Sequence, residues 1–494
     1  VTENLAGKTK SAAKWSLITE AIAKITLPVS QLVLARLLAP EVFGVLAIVI
    51  MVASFAEMLA DAGFQKYLIQ HEFPDKRSLY RAANVAFWSS MAISLVLLLL
   101  IVLLRDQLAT LVGNPGLGVP IAIASLSLPM SVVVSTQNAL FRRAFVYRAL
   151  LPIRVGVGLI PLVVSVPLAI YGMDYWSLIV GVLAAHLVNA VAMTWVSPWN
   201  PRLYFSFGIL RRMFGFSAWT LLEAISIWAT MWAGTFVVGT ILSPHELGLY
   251  RQPMLVVTSA FAVITSATTP ILFAALSRLQ NDPDAYRKFF FRFQFLVSLV
   301  VFPAGVGAFF YRDFFTDLLF GPDWAEASLM FGAWALSTSS SIVLSHYCSE
   351  IFRSLGKPRI SLLSQCLYMM IMIPAIYFAA LDGFATLVIV NALVRLVAIA
   401  ISQWMVFLIA GFGFIRVLRN LYAPLICAGV MGVAAAWFAH LSEGHWGFST
   451  LGIVGCSVLY VLVCLCFPDT RTVILDAGAT VLRRGRQERK SGTL

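Results

Sequence analysis

The stretch Gln31-Leu-Val-Leu-Ala-Arg-Leu-Leu-Ala-Pro-Glu-Val-Phe-Gly-Val-Leu-Ala-Ile-Val-Ile50 joins two long apolar runs at the turn Ala39-Pro-Glu-Val-Phe-Gly44. Pro40 has no backbone N–H, disfavours helix at the residue before it and is tolerated in a first helical turn. One helix is therefore expected to end at Leu38-Ala39 and the next to begin at Pro40-Glu41. Both runs are long enough to cross a bilayer, so the stretch predicts a hairpin of membrane helices.

The rest of the chain agrees with that reading. Hydrophobic residues make up 60% and charged residues 12% of the 494, whereas a soluble domain carries about a quarter charged residues. The mean hydropathy is +0.87. The apolar runs are unalternated and about twice the roughly ten residues of a barrel strand, which excludes a transmembrane barrel. The expected fold is an all-α polytopic membrane protein of fourteen transmembrane helices, at about 12–38, 42–65, 82–104, 119–141, 149–170, 174–196, 214–242, 246–275, 286–310, 325–352, 360–380, 384–409, 420–440 and 448–467. No signal-peptide cleavage pattern precedes the first run, which is expected to be retained as a span.

The opening turn recurs. Val238-Gly-Thr-Ile-Leu-Ser-Pro-His-Glu-Leu-Gly248 overlays it at a shift of 204 positions, Pro40 on Pro244 (244 − 40) and Gly44 on Gly248 (248 − 44). An internal repeat of two six-helix lobes follows. The N-terminal lobe is expected over 1–197, an aromatic and basic interfacial linker over 198–213, the C-terminal lobe over 214–415, two further helices over 416–470 and a basic cytoplasmic tail over 471–494.

Basic residues sort to alternate connections. Lys76, Arg77 and Arg81; Arg142, Arg143 and Arg148; Arg202, Arg211 and Arg212; Arg278, Arg287 and Lys288; Arg353, Lys357 and Arg359; and Arg416 and Arg419 follow the even-numbered helices, while the opposite side offers little beyond Arg105 and Arg312. This bias predicts both termini in the cytoplasm. It accounts for most of the net charge of +12 without a nucleic-acid partner.

Charges at membrane depth cost several kcal/mol, so those retained need a protein or aqueous interior. Lys24, Arg154 and Arg395 lie deepest, and together suggest a cavity for an anion. Guanidinium makes bidentate contacts with phosphate oxygens, which makes a diphosphate an apt ligand. Arg36 and Arg251, near helix ends, are candidates for a gating or substrate-access role. Glu20, Glu57, Asp61, Glu223 and Glu350 are candidates for ion coupling or for pairing with the cations, Glu20 with Lys24 four residues on. Gln31, Gln137, Asn138 and Gln365 suit glycan hydroxyls or cross-helix hydrogen bonds. His186 and His346 titrate near neutrality, but a histidine on a membrane helix more often serves packing.

No Gly-rich phosphate loop, no nucleophile–base pair and no metal-ligand spacing is visible, so no catalytic residue, metal or cofactor is expected. Proton or sodium coupling would supply the driving force. The six cysteines read as small apolar residues.

The motifs Leu34-Ala-Arg-Leu-Leu-Ala-Pro-Glu-Val-Phe-Gly44, Phe55-Ala-Glu-Met-Leu-Ala-Asp-Ala-Gly-Phe64, Leu68-Ile-Gln70, Gly248-Leu-Tyr250, Phe320-Gly-Pro-Asp-Trp324 and Arg353-Ser-Leu-Gly-Lys-Pro358 resemble the polysaccharide flippases of the multidrug/oligosaccharidyl-lipid/polysaccharide exporter superfamily. The resemblance covers roughly 11–470 and is strongest to the exopolysaccharide branch with the colanic-acid and succinoglycan flippases. It implies two lobes around a cavity with alternating access, in the bacterial inner membrane. The implied cargo is an undecaprenyl-diphosphate-linked oligosaccharide repeat unit, delivered to a periplasmic-side polymerase while its lipid tail stays among the membrane lipids. The alternatives are an ion-coupled multidrug exporter or a peptidoglycan lipid-precursor flippase of the same fold; a non-transport scaffold would pair all its buried charges.

Overall fold

The computed structural model describes residues 28–144, 146, 150–441 and 446–473, and every regular element among them is helical. Helix α1 is described over 28–35. It is followed by α2 (Pro40–Asp61), α3 (Phe64–Gln70), α4 (Lys76–Leu103), α5 (Arg105–Leu111), α6 (Gly118–Ala124) and α7 (Ser127–Arg143). Next come α8 (Leu150–Ile170), α9 (Asp174–Val196), α10 (Phe207–Ile241), α11 (Pro244–Leu279), α12 (Pro283–Phe310) and α13 (Arg312–Leu319). The series closes with α14 (Ser328–Ser341), α15 (Cys348–Ser354), α16 (Pro358–Leu381), α17 (Phe384–Ala410), α18 (Phe414–Leu441) and α19 (Trp446–Cys466).

Thirteen helices among the described residues are long and apolar enough to span a membrane. They correspond in order to the second through fourteenth expected spans. Most of the first expected helix, with Glu20 and Lys24, lies outside the described residues.

Local chemistry explains where the helices start. Pro40 opens α2 behind Ala39 in an extended conformation. At α11 the Ser243 hydroxyl accepts from the Glu246 amide at 3.3 Å, while Glu246 Oε2 accepts from the Ser243 amide at 3.0 Å and hydroxyl at 2.8 Å. That reciprocal pairing satisfies helix-end donors on both sides of the turn. Asp75 and Ser78 make the same arrangement at α4. At the other polarity, Arg143 Nη1 donates to the carbonyls of Leu68, Ile69 and His71 and so closes the C-terminal end of α3, where a cation suits the helix dipole.

Several expected rods differ in detail. The span over 119–141 is broken at Ser125-Leu126 into α6 and α7. The span over 325–352 carries a wide, π-type turn at Ile342–His346. Helix α10 starts at Phe207 rather than at 214, so only 198–206 of the expected linker is non-helical. The loops after the third and ninth expected spans contain the short helices α5 and α13.

Packing divides the chain into two units. The first holds the described residues up to Ser266 with Leu319–Trp324 and Met372–Leu387; the second holds Ala267–Leu318, Ala325–Ile371 and the described residues from Val388 on. The division runs through α11. Within the first unit α2 is buried along most of its length against α4, α6, α7, α9 and α10. Helices α8 and α9 pair closely, Gly181 lying against Ser165. Within the second unit α12 packs on α14 and α18, with Gly305 against Ser339 and the Ala335 carbonyl and Gly432 against Val306 and Phe310. Small residues at these contacts fit the physics of lipid, where helices associate by close packing rather than by leaving water. The Leu-rich end of α4 shows the opposite face, with Val96, Leu99 and Leu103 exposed.

Candidate functional site

The two turns related by the repeat meet inside the first unit. A Cβ on Gly44 would overlap the Pro244 carbonyl oxygen and lie 2.7 Å from its carbon, and a Cβ on Gly248 would overlap the Pro40 carbonyl, 2.6 Å from its carbon. The contact is reciprocal, each repeat supplying one glycine and one proline carbonyl. Beside it, His245 Nδ1 faces Glu41 Oε1 at 3.3 Å. The buried Trp324 indole donates to the Ala35 carbonyl at 2.9 Å and packs its ring on Phe43 and Phe320. The Phe320-Gly-Pro-Asp-Trp324 motif thus closes the end of α1, whose last turn has carbonyls with no partner of its own.

Deeper polar groups of the first unit form small sets. Glu57 Oε1 accepts from the Ser127 hydroxyl at 2.8 Å and stands 3.8 Å from His186 Nε2. The other nitrogen of His186 donates to the Val182 carbonyl at 2.9 Å. Asp61 accepts from the backbone of Gly63 and Gln65 and from the Ser135 side chain. Glu223 is exposed and pairs with Lys66 at 2.7 Å, with the two side chains 56% and 42% exposed. Gln137 donates to Thr194 at 3.1 Å, and its Oε1 is buried with no partner, as is Gln31 Oε1. Asn138 is half-buried.

Arg154 is half-buried on α8. One turn on, the Gly158 carbonyl accepts from Ser30 of α1 at 3.0 Å, which seats α1 on the arginine-bearing part of α8. Pro161 and Pro167 further along α8 remove two intrahelical donors, the kind of interruption that membrane helices tolerate where neighbours or water satisfy the backbone. Arg251 lies over the Trp232 ring at 4.4 Å, and Arg36 is exposed in the turn after α1.

In the second unit the Arg395 guanidinium stacks over Trp334 at 3.7 Å. A guanidinium over an aromatic ring keeps its positive charge, the property that attracts phosphate or carboxylate. Glu350 is buried and bonded to Arg353 at 3.1 Å. His346 is exposed and faces Thr269 at 3.2 Å, while the buried Tyr347 hydroxyl meets Thr268 at 2.8 Å. Gln365 is half-buried on α16. Among the described residues no group of His, Cys, Asp and Glu is arranged to hold a metal.

Of the expected cationic set, Arg154 belongs to the first unit, Arg395 to the second, and Lys24 lies outside the described residues. The partners Lys66, Trp232 and Trp334 had no signal in the sequence. Each is remote from the charge it meets, by 157, 19 and 61 positions (223 − 66, 251 − 232 and 395 − 334).

Thirteen apolar spans among the described residues define a multi-pass membrane protein. Residues 33–329 match the polysaccharide biosynthesis protein family, and the chain belongs to that family. It is 23% identical over 465 residues to the succinoglycan biosynthesis transport protein ExoT of Rhizobium meliloti, spanning 91% of each chain. It is 26% identical over 329 residues to the lipopolysaccharide biosynthesis protein WzxC of Escherichia coli, spanning 65% of each. Among solved structures the fold is similar to the lipid II flippase MurJ in its inward closed conformation, with TM-score 0.72 at 11% identity over 94% of this chain and 100% of that one. An inward-facing multidrug transporter of the MATE family superposes with TM-score 0.58 at 13% identity, over 81% and 99%. The protein is a non-catalytic, multi-pass membrane transport protein of the polysaccharide biosynthesis protein family in the bacterial inner membrane.

Proposed function

We propose that the protein is an alternating-access flippase that moves a polyprenyl-diphosphate-linked exopolysaccharide repeat unit from the cytoplasmic to the periplasmic leaflet. The observation that carries this reading is Arg395, held on a membrane helix with its guanidinium stacked on Trp334. Such a group recognises the oxygens of a phosphate ester, and a lipid diphosphate is the membrane-borne form of that chemistry. The names of the relatives support a glycan cargo, since they refer to succinoglycan and lipopolysaccharide biosynthesis.

Arg154 is assigned a second, separately tested contact with the diphosphate. Lys24 keeps the same assignment on sequence grounds. Glu57, with Ser127 and His186 around it, is the preferred proton site for coupling. Arg36 and Arg251 are assigned to gating, and Gln137, Asn138, Gln365 and Gln31 to the glycan. Both termini are placed in the cytoplasm by the distribution of lysine and arginine. The two six-helix lobes stay a proposal resting on the repeat.

Proteoliposomes loaded with labelled lipid-linked oligosaccharide test the cargo. Arg395→Ala and Arg154→Ala are each expected to slow translocation by about tenfold or more, the loss of one charge-assisted contact. An unchanged rate in both variants, or transport only of lipophilic cations, overturns the reading. Imposed proton and sodium gradients test coupling separately, and Glu57→Gln is expected to abolish the response to the proton gradient.

A further inference from the structure

Where α4 begins, the chain builds a basic, aromatic cavity that plays no part in the transport reading. Its volume is about 590 Å³. Lys76, Arg77 and Arg81 lie in the first turns of α4, and Arg202 comes from the non-helical segment 198–206. Tyr80, Trp199 and Tyr204 complete the wall.

Two features suit this arrangement to an anion. The first turn of α4 carries cations and no acid, although the positive end of a helix dipole favours negative charge. Asp75, at the start of α4, is already engaged: the Ser78 hydroxyl and amide, with Arg77 and Arg81 beyond them, hold it below the usual carboxylate range.

The walls are held by bonds that leave the cationic groups at the surface. The buried Asn84 accepts from the Arg202 amide at 3.0 Å, and the Trp88 indole donates to the Arg202 carbonyl at 2.9 Å. Arg81 lies over the Tyr204 ring at 5.5 Å, and Trp199 meets Phe87 edge to face. Lys76, Arg77, Arg81 and Arg202 are all exposed.

We propose that this cavity binds the phosphodiester headgroup of an anionic glycerophospholipid. The cations would take the phosphate oxygens. What favours a lipid over a soluble phosphate ester is the apolar rim: Leu203, which lines the cavity, is 92% exposed, and Phe207 and Phe205 close by in sequence are 73% and 56% exposed. Aromatic and aliphatic side chains flanking cations at the end of a membrane span suit the headgroup–acyl boundary. The site would anchor the start of α4 to the segment leading into α10, independently of the cargo.

Native mass spectrometry of the full-length protein, released from mixed micelles of phosphatidylglycerol and phosphatidylcholine, tests this. The wild type is expected to retain phosphatidylglycerol over phosphatidylcholine by about tenfold, and the Arg77→Gln/Arg202→Gln variant to lose that preference with its thermal midpoint unchanged. Equal retention of the two lipids by the wild type, or a preference undiminished in the double variant, overturns the proposal. Displacement of phosphatidylglycerol by equimolar glycerol 1-phosphate would assign the site to a soluble phosphate ester and overturn the lipid.

Discussion

Gly44 and Gly248 each stand where a methyl group would overlap a proline carbonyl of the opposing turn. The neighbour at each is backbone, which cannot swing aside as a side-chain tip does. Gly44→Ala and Gly248→Ala are each expected to cost about 1–3 kcal/mol, typical of overpacking at a rigid contact, and to lower the thermal midpoint in detergent. Trp324 carries a second local load. Trp324→Phe keeps a ring against Phe43 but strands the Ala35 carbonyl, and is expected to cost about 1–3 kcal/mol by the same measurement. Both glycines were legible as turn residues. Their closeness to each other was not, because 204 positions separate them and only packing brings them together.

The interruption at Ile342–His346 has no proline or glycine to announce it. Its stability comes from neighbouring helices. Gln294 of α12 donates its amide to the Val343 carbonyl at 3.0 Å, and Gln403 of α17 donates to the Leu344 carbonyl. A wide turn inserts one residue into the helical ladder and leaves carbonyls in need of donors, which the two glutamines supply. Gln294→Leu and Gln403→Leu are each expected to destabilise the protein by about 1–2 kcal/mol and to speed hydrogen exchange selectively around 342–348. Uniform protection across that segment in both variants would show that the turn holds without them. Spans were readable from the length of their apolar runs, because hydrocarbon admits only satisfied backbone. The break within one was not, because it depends on amides contributed from 49 positions before and 59 after (343 − 294 and 403 − 344).

For the molecule as a transporter, the apposed turns are expected to act as a closure element. Glu41 and His245 face each other there at 3.3 Å. In a background with the six native cysteines replaced by serine, Glu41→Cys and His245→Cys joined by a short bis-thiol reagent are expected to stop translocation. Cleavage of the linker should restore it, and full transport in the crosslinked protein would sink the idea.

Apolar run length and the Pro–Gly turns are local or periodic properties, so the sequence alone sufficed for the helical membrane class, the order of the described spans and the resemblance to polysaccharide-export proteins. Partner choice is another matter. Glu223 with Lys66, Arg395 with Trp334 and the cavity at the start of α4 each depend on which faces distant helices turn to one another. In lipid that choice follows from close packing and hydrogen-bond satisfaction. Neither leaves a periodic trace in the chain, so the three-dimensional fold had to reveal them.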